Sequence, residues 1–206
     1  IALAANDTGK VLVYDYQPGN TFGSGASLSS ARETSSVPLA LNSETVTHNM
    51  GTAWLNDSTA LALSSTGQLF AVNESTMVSS QVATVPVTVL GGEVSFNTAL
   101  AYNPDVSPYV FAMYSFFNGS AGLTELHILD PNNSYNVINS VDLSSNTAQG
   151  LDIALDANGD VYISRFFGRI SLLANAAANA ASIGDNTDVL WYDSPTFANS
   201  GGLAIG

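Results

Sequence analysis

The sequence predicts an all-β chain of four repeated units arranged like the blades of a β-propeller. Apolar strands recur along the chain at intervals of 58, 39, 53 and 50 residues, counted from Leu3, Leu61, Leu100, Ile153 and Leu203. The mean of 50 residues is the length of a propeller blade. Each recurrence is followed by a turn rich in Gly, Asn or Asp and by a second, alternating or aromatic-rich strand. Helical periodicity is nearly absent, and for the Ala/Asn tract at 172–182 a short helix and a long loop both remain open.

The repeat divides the 206 residues into one domain with four four-stranded units, at about 1–58, 59–97, 98–150 and 151–201. The first strand of a fifth unit follows at 202–206. Small residues on the first strands (Ala4, Ala62, Ala101 and Ala154) predict that these strands crowd together near a common axis. Further strands are predicted at 81–89, 123–129, 137–143, 170–173 and 189–192. In the fourth unit Asn158-Gly159 supplies the positive φ angles that a two-residue hairpin needs.

The surplus strand at the end of the repeat leaves three arrangements open. The chain is part of a longer propeller, or its terminal edge strands pair with a neighbouring molecule, or four units close into a ring. Strand pairing between copies would cover a sheet edge that is otherwise open. The second arrangement therefore predicts self-assembly.

Composition excludes several classes of function. Four Lys and Arg against 17 Asp and Glu give a net charge of −13, which repels a nucleic-acid backbone. No stretch of 18 apolar residues is present, so we expect no membrane insertion. Cysteine is absent and lysine occurs once, a balance that favours a secreted or cell-surface glycoprotein. Five Asn-x-Ser/Thr sequons are candidate glycosylation sites: Asn6, Asn56, Asn73, Asn118 and Asn132.

Residues 150–170 (GLDIALDANGDVYISRFFGRI) resemble the repeat of the NHL and SMP-30/gluconolactonase group of β-propellers. The resemblance implies a propeller scaffold and, in lactonases of that group, a divalent cation held by Glu, Asn and Asp. The position of the family aspartate is Gln149 here, and the glutamate has no counterpart. Only Asn49 matches as the asparagine ligand. The resemblance therefore favours the scaffold over the activity.

Two histidines and two aromatic pairs are the remaining candidates for function. His48, beside Asn49, precedes the second unit and is the better functional candidate because it lies in a loop. His127 is expected to be a surface or edge residue with a local hydrogen bond. Neighbouring residues of a strand point to opposite faces, so one member of Phe116-Phe117 and one of Phe166-Phe167 should contact a ligand or an interface. These pairs and the two residues at 48–49 are the candidate ligand or interface residues.

Calcium is considered at Asp156, Asn158 and Asp160, which begin like an EF-hand loop. Gly159 comes one position early and the twelfth position is Phe167 instead of Glu. A hairpin turn explains the same residues, so we expect no cofactor. No catalytic constellation is found.

The sequence thus predicts an extracellular binding or assembly module for a protein or carbohydrate ligand. The alternatives are an SMP-30-like metal-dependent hydrolase or lactonase and a structural subunit of a filament or coat.

Overall fold

The computed structural model describes residues 2–5, 11–14 and 31–33 as strands, and the ranges 51–87, 97–117, 121–144 and 148–193 in full. The strands are β1 (Ala2–Ala5), β2 (Val11–Tyr14), β3 (Ala31–Glu33), β4 (Gly51–Asn56), β5 (Thr59–Leu63), β6 (Gln68–Asn73), β7 (Ser79–Thr84), β8 (Asn97–Ala101), β9 (Val110–Phe117), β10 (Gly122–Asp130), β11 (Asn136–Asp142), β12 (Gly150–Leu155), β13 (Val161–Arg165), β14 (Arg169–Leu173) and β15 (Val189–Asp193). The predicted all-β class is confirmed.

The strands form four antiparallel meanders in which each strand pairs with its neighbour in the chain. Sheet 1 contains β1 to β3, sheet 2 contains β4 to β7, sheet 3 contains β8 to β11 and sheet 4 contains β12 to β15. Three of the four predicted units are therefore four-stranded. A fourth strand of the first unit, and the predicted strand at 202–206, lie outside the described residues.

The first strands of the four sheets lie side by side in chain order. β1 contacts β4, β4 contacts β8, and β8 contacts β12, while the later strands of each sheet lie progressively farther out. Sheets fanned in this way from adjacent first strands are the arrangement of propeller blades. The predicted propeller-like architecture is thus present in the strand topology itself.

The predicted boundary at 58/59 is wrong, because it separates two paired strands. β4 pairs with β5 through Ala53↔Leu61 and Asn56↔Thr59, so the second unit begins at Gly51. In this unit the sequence repeat matched the second hairpin, β5–β6. In the next two units it matched the first hairpin, β8–β9 and β12–β13. Ala62 accordingly lies on a second strand. On the first strand, β4, the small residue at the close approach to β8 is Gly51, where a Cβ atom would come within 2.6 Å of the Ala99 backbone.

A hairpin turn is present at Asn158-Gly159, but the predicted two-residue form is wrong: the last pair of β12 and β13 is Leu155↔Val161, so residues 156–160 form the connection, and of the two residues only Gly159 has a positive φ. Gly159 has a φ of +87°, and its amide donates to the carbonyl of Asp156. The tract after β14 is a succession of turns, so the loop alternative is correct there. Ala176 and Ala180 of this tract are buried against sheet 4.

The core fills the spaces between successive sheets. One cluster joins sheets 3 and 4 around Phe111, Met113 and Ile163. A second cluster joins sheets 2 and 3 around Leu61 and Tyr114. β9 contributes alternate residues to both clusters and is buried along six of its eight residues. No helix in the described part is long and apolar enough to cross a membrane.

Candidate functional site

A cavity of about 580 Å³ lies where the first strands of sheets 2, 3 and 4 end. Its lining comes from the end of β4 and the turn after it, the three residues that follow β8, and the last residue of β12. The lining residues are Trp54, Leu55, Asn56, Asp57, Tyr102, Asn103, Pro104 and Leu155. We call this feature the strand-end cavity. The cavity can form because the first strands of the three sheets run in the same direction, so that their ends lie together, as in a meander repeated about one axis.

The polar lining is held in place by the turns that end the strands. The Asn56 Oδ1 atom accepts hydrogen bonds from the backbone N and the Oγ of Ser58, both at 3.0 Å. The Asn103 Oδ1 atom accepts from the backbone N of Asp105 at 3.1 Å. Asn favours such turns because its side-chain oxygen binds the backbone two residues on. Each amide oxygen is thereby fixed, and the orientation of each NH₂ group follows from it.

The cavity combines apolar walls with neutral and anionic polar groups. Trp54 and Tyr102 supply aromatic rings, and both are half-buried. Burial raises the pKa of the Tyr102 hydroxyl, so this group is neutral at physiological pH. The Asp57 side chain is exposed and supplies a carboxylate. The described lining carries no Lys, Arg or His side chain.

A second polar cluster is buried between sheets 3 and 4 around Arg165, which is 0% exposed. Its guanidinium pairs with Asp188 at 2.9 Å and donates to Ser171 Oγ and to the carbonyls of Ala148 and Leu143. Burial lowers the Arg165 pKa, and the Asp188 charge opposes that shift. Because the guanidinium is enclosed and bonded to the protein, this cluster fastens the two sheets together and offers no group to a ligand.

The third polar cluster contains His127, which was expected at the surface. That expectation is wrong: His127 and Glu125 are both 0% exposed, with 3.4 Å between His127 Nε2 and Glu125 Oε2. The expected local hydrogen bond is present, at 2.8 Å between Nδ1 and Ser140 Oγ. The Tyr114 ring meets the imidazole edge-on at 5.6 Å. The alternation of Glu125 and His127 on β10 was the signal that they share a face.

The predicted aromatic pairs differ in their local structure. On β9, Phe116 packs against the core between sheets 2 and 3, while Phe117 is 49% exposed, as the strand alternation predicts. The strand assumption is wrong for Phe166 and Phe167, which lie in a 3-10 turn, Phe166–Gly168. Phe167 has a φ of +66° and is 62% exposed. Neither pair is part of the lining of the strand-end cavity. His48 and Asn49 lie outside the described residues.

Three of the five sequons lie at exposed turns or strand ends. Asn56, Asn73 and Asn132 are all exposed, and Asn56 also lines the strand-end cavity. Asn6 and Asn118 lie outside the described residues.

The segment considered for calcium forms a turn that uses its own carboxylates. Asp156 Oδ1 accepts from the backbone N of Asn158 and of Asp160, both at 2.9 Å. Asp160 Oδ1 accepts from the backbone N of Asn175 at 2.6 Å. Across the described ranges, no three His, Cys, Asp or Glu side chains are grouped as metal ligands. Gln149, at the family aspartate position, is 5% exposed and its amide reaches Ser115 Oγ.

Comparison with known proteins finds no matching family model and no matching curated protein. Among solved structures, a Thermus thermophilus protein described as an oxidoreductase (glucose dehydrogenase) is 18% identical, over 62% of this chain and 43% of that one, with a TM-score of 0.42. BamB from Moraxella catarrhalis is 12% identical, over 84% and 55%, with a TM-score of 0.30. YCF48 bound to D1 peptide is 12% identical, over 69% and 53%, with a TM-score of 0.29.

The chain spans between 43% and 55% of the length of these three structures. Their TM-scores all lie below 0.5, so the description of the fold rests on the strand topology. The resemblance of residues 150–170 to the NHL and SMP-30 group stays a prediction. The chain is a β-propeller-like module whose described residues place one cavity at the ends of three first strands.

Proposed function

We propose that the chain is a binding module that takes its ligand in the strand-end cavity. The observation that carries the proposal is the cavity itself, formed by residues from three separate sheets. Its volume falls within the range of ligand sites in proteins, about 300–1,000 Å³. The cavity is lined by aromatic side chains and by hydrogen-bonding groups, both of which suit a ligand site. Buried cores fix the sheets that carry them.

We also propose that the module acts outside the cell, on the cell surface or as a secreted protein. Exposed sequons at Asn56, Asn73 and Asn132 and the strongly acidic, lysine-poor composition support this location. Intact-mass measurement of the native protein tests it, because attached glycans add mass in steps of single sugars. A native mass equal to that of the bare polypeptide, in a source that glycosylates its secreted proteins, would contradict the glycoprotein part.

The binding proposal is tested by fluorescence of Trp54. The chain has two tryptophans, and Trp191 is 58% exposed on the outermost strand of sheet 4. In the variant Trp191→Phe, Trp54 is therefore the remaining tryptophan and reports on the cavity. We expect a panel of oligosaccharides and peptides to include ligands that shift or quench this fluorescence in a saturable way.

Substitution separates binding in the cavity from binding elsewhere. In calorimetric titrations the variant Trp54→Ala should weaken the identified ligand, whereas Trp191→Ala should bind it as the natural chain does. A ligand bound with equal affinity by Trp54→Ala would move the site away from the cavity and overturn the proposal.

A further inference from the structure

We infer that the ligand of the strand-end cavity is an uncharged saccharide. The inference rests on the proposed function, since it names the ligand class of that same site. It follows from three properties of the lining: its aromatic rings, its hydrogen-bonding groups and its charge.

Two aromatic residues give the lining apolar surface suited to a sugar. Trp54, near the end of β4, packs on one side against a small cluster that includes Phe70, and Tyr102, directly after β8, packs against the core between sheets 2 and 3. Both residues are half-buried and line the cavity. A pyranose ring has an apolar face of C–H groups, and burying it against an aromatic ring removes apolar area from water. Leu55, Pro104 and Leu155 extend this apolar wall. Polar groups lie beside the wall, as a ligand with hydroxyl groups around an apolar ring requires.

The hydrogen-bonding groups match hydroxyls, which both donate and accept. The oxygens of Asn56 and Asn103 accept from backbone amides of their own turns, so the NH₂ groups are the parts of these side chains that can donate to a ligand. Asp57 belongs to the same lining and only accepts when ionised. A pair of neighbouring hydroxyls satisfies both kinds of group: one oxygen accepts from an amide while the other hydroxyl donates to the carboxylate.

The charge of the lining disfavours the competing ligand classes. A phosphate or carboxylate would meet Asp57 with no Lys, Arg or His in the described lining to balance it, on a chain with a net charge of −13. A cationic peptide would pair with Asp57, but the NH₂ donors of Asn56 and Asn103 would then face a positive charge. An uncharged ligand with hydroxyl groups makes none of these unfavourable contacts.

The test compares three probes on the Trp191→Phe variant produced in a host that adds no glycans. The probes are a panel of neutral oligosaccharides (gluco-, xylo- and mannohexaose), an oligogalacturonate and a lysine-rich peptide, all at the same ionic strength. We expect Trp54 fluorescence to respond to at least one neutral oligosaccharide. The anionic oligosaccharide should bind at least about tenfold more weakly, a difference of about 1.4 kcal/mol.

Variants of the carboxylate supply the matched control. Asp57→Ala removes an acceptor that a sugar hydroxyl would use and should weaken binding of the neutral oligosaccharide about tenfold, as the loss of a hydrogen bond to a charged group does. Asp105→Ala changes the charge equally on a neighbouring exposed turn and should leave the affinity unchanged. Circular dichroism of both variants establishes that the fold is retained.

The outcomes separate the ligand class from the site. If no neutral oligosaccharide changes Trp54 fluorescence, the saccharide inference is overturned. If the peptide or the oligogalacturonate saturates the response in its place and Trp54→Ala abolishes that binding, the ligand class is wrong while the binding module stands. If Asp57→Ala and Asp105→Ala weaken sugar binding equally, the effect is one of overall charge, and the hydroxyl contact is excluded.

Discussion

At the scale of single residues, buried polar side chains hold neighbouring sheets together. The Arg165–Asp188 pair is fully buried, so neither charge is stabilised by water. Removing one member leaves the other charge uncompensated in the interior, a change that usually costs about 3–5 kcal/mol. Asp188 also precedes β15, and the ion pair therefore anchors the outermost strand of sheet 4 to the core.

We predict that Asp188→Ala lowers the free energy of unfolding by about 3 kcal/mol or more, measured by urea denaturation. The exposed Asp105→Ala should change it by less than about 0.5 kcal/mol. The double variant Arg165→Met with Asp188→Ala removes both charges and should recover part of the loss. Equal stability of Asp188→Ala and Asp105→Ala would show that the pair is not buried.

Tyr114 gives the protein an alkaline limit. Burial, and after it the Glu125 charge, raises the pKa of its hydroxyl well above the usual 10.0. In the unfolded chain the group ionises near about pH 10, so above that pH the unfolded state releases a proton that the folded state retains. The stabilisation is therefore fully present below about pH 10 and is lost as the pH rises toward the folded pKa.

We predict that Tyr114→Phe reduces this alkaline loss, followed as the urea midpoint between about pH 8 and 11. The buried hydroxyl has no hydrogen-bond partner among the described residues, so at neutral pH the variant should be as stable as the natural chain or more stable by about 1 kcal/mol. Tyr192→Phe, at a half-exposed position, is the control. A large destabilisation at neutral pH would mean that the hydroxyl has a partner.

At the scale of the element, close approach between sheets depends on single glycines. Gly122 opens β10, and a Cβ atom there would collide with the backbone N and Cα of Gln149. This contact sets the spacing between sheets 3 and 4 at the point where Arg165 bridges them. Backbone atoms cannot move aside as a flexible side chain can, so a larger residue has to separate the sheets.

We predict that Gly122→Ala destabilises the fold by about 1–3 kcal/mol, the usual effect of overpacking. The control is Gly184→Ala, whose Cβ atom would lie 3.5 Å from Thr187 Cγ2 at an ordinary contact distance. Thermal unfolding by calorimetry compares the two. If both variants melt alike, sheets 3 and 4 are not in the close contact described.

The elements also show what sequence patterns can determine. Alternation and turn residues located the strands of the last two units, because those signals are local: Asn158-Gly159 specifies its turn without reference to the rest of the chain. The start of the second unit was misplaced because the hairpins β4–β5 and β5–β6 have similar patterns, and only pairing distinguishes them. The turn at Phe166 was missed since a positive φ at a phenylalanine has no sequence signal.

At the scale of the whole molecule, the strands differ in how deeply they are buried. β9 lies between two clusters, whereas all five residues of β15 are exposed. Local opening requires the loss of few buried contacts at β15 and of many at β9. The described part should therefore unfold from its outer strands inward.

We predict that backbone amides at 111–114 exchange with solvent most slowly among those described, and that those at 189–193 exchange much faster. Hydrogen exchange followed by mass spectrometry measures both in one experiment. Exchange of β15 as slow as that of β9 would show that another part of the molecule, or a second copy, covers the outer strand.

The strand-end cavity could be predicted from sequence only in outline. A binding or assembly module was expected from the propeller-like repeat. The residues were not, because Trp54, Tyr102 and Leu155 lie far apart in the chain and meet only when three sheets are placed side by side. Asn56 was singled out, but as a sequon and not as a cavity residue.

Asn56 is both a sequon and a residue of the cavity lining, so glycosylation there would regulate the site. Its side chain lines the cavity, and its amide nitrogen is the atom to which an oligosaccharyltransferase would attach a sugar chain. In a molecule modified there, the attached glycan would occupy the cavity and would exclude soluble ligands from it. Glycosylation of this one sequon would then divide the population into molecules with a free cavity and molecules with a blocked one, and the ratio would be fixed during biosynthesis.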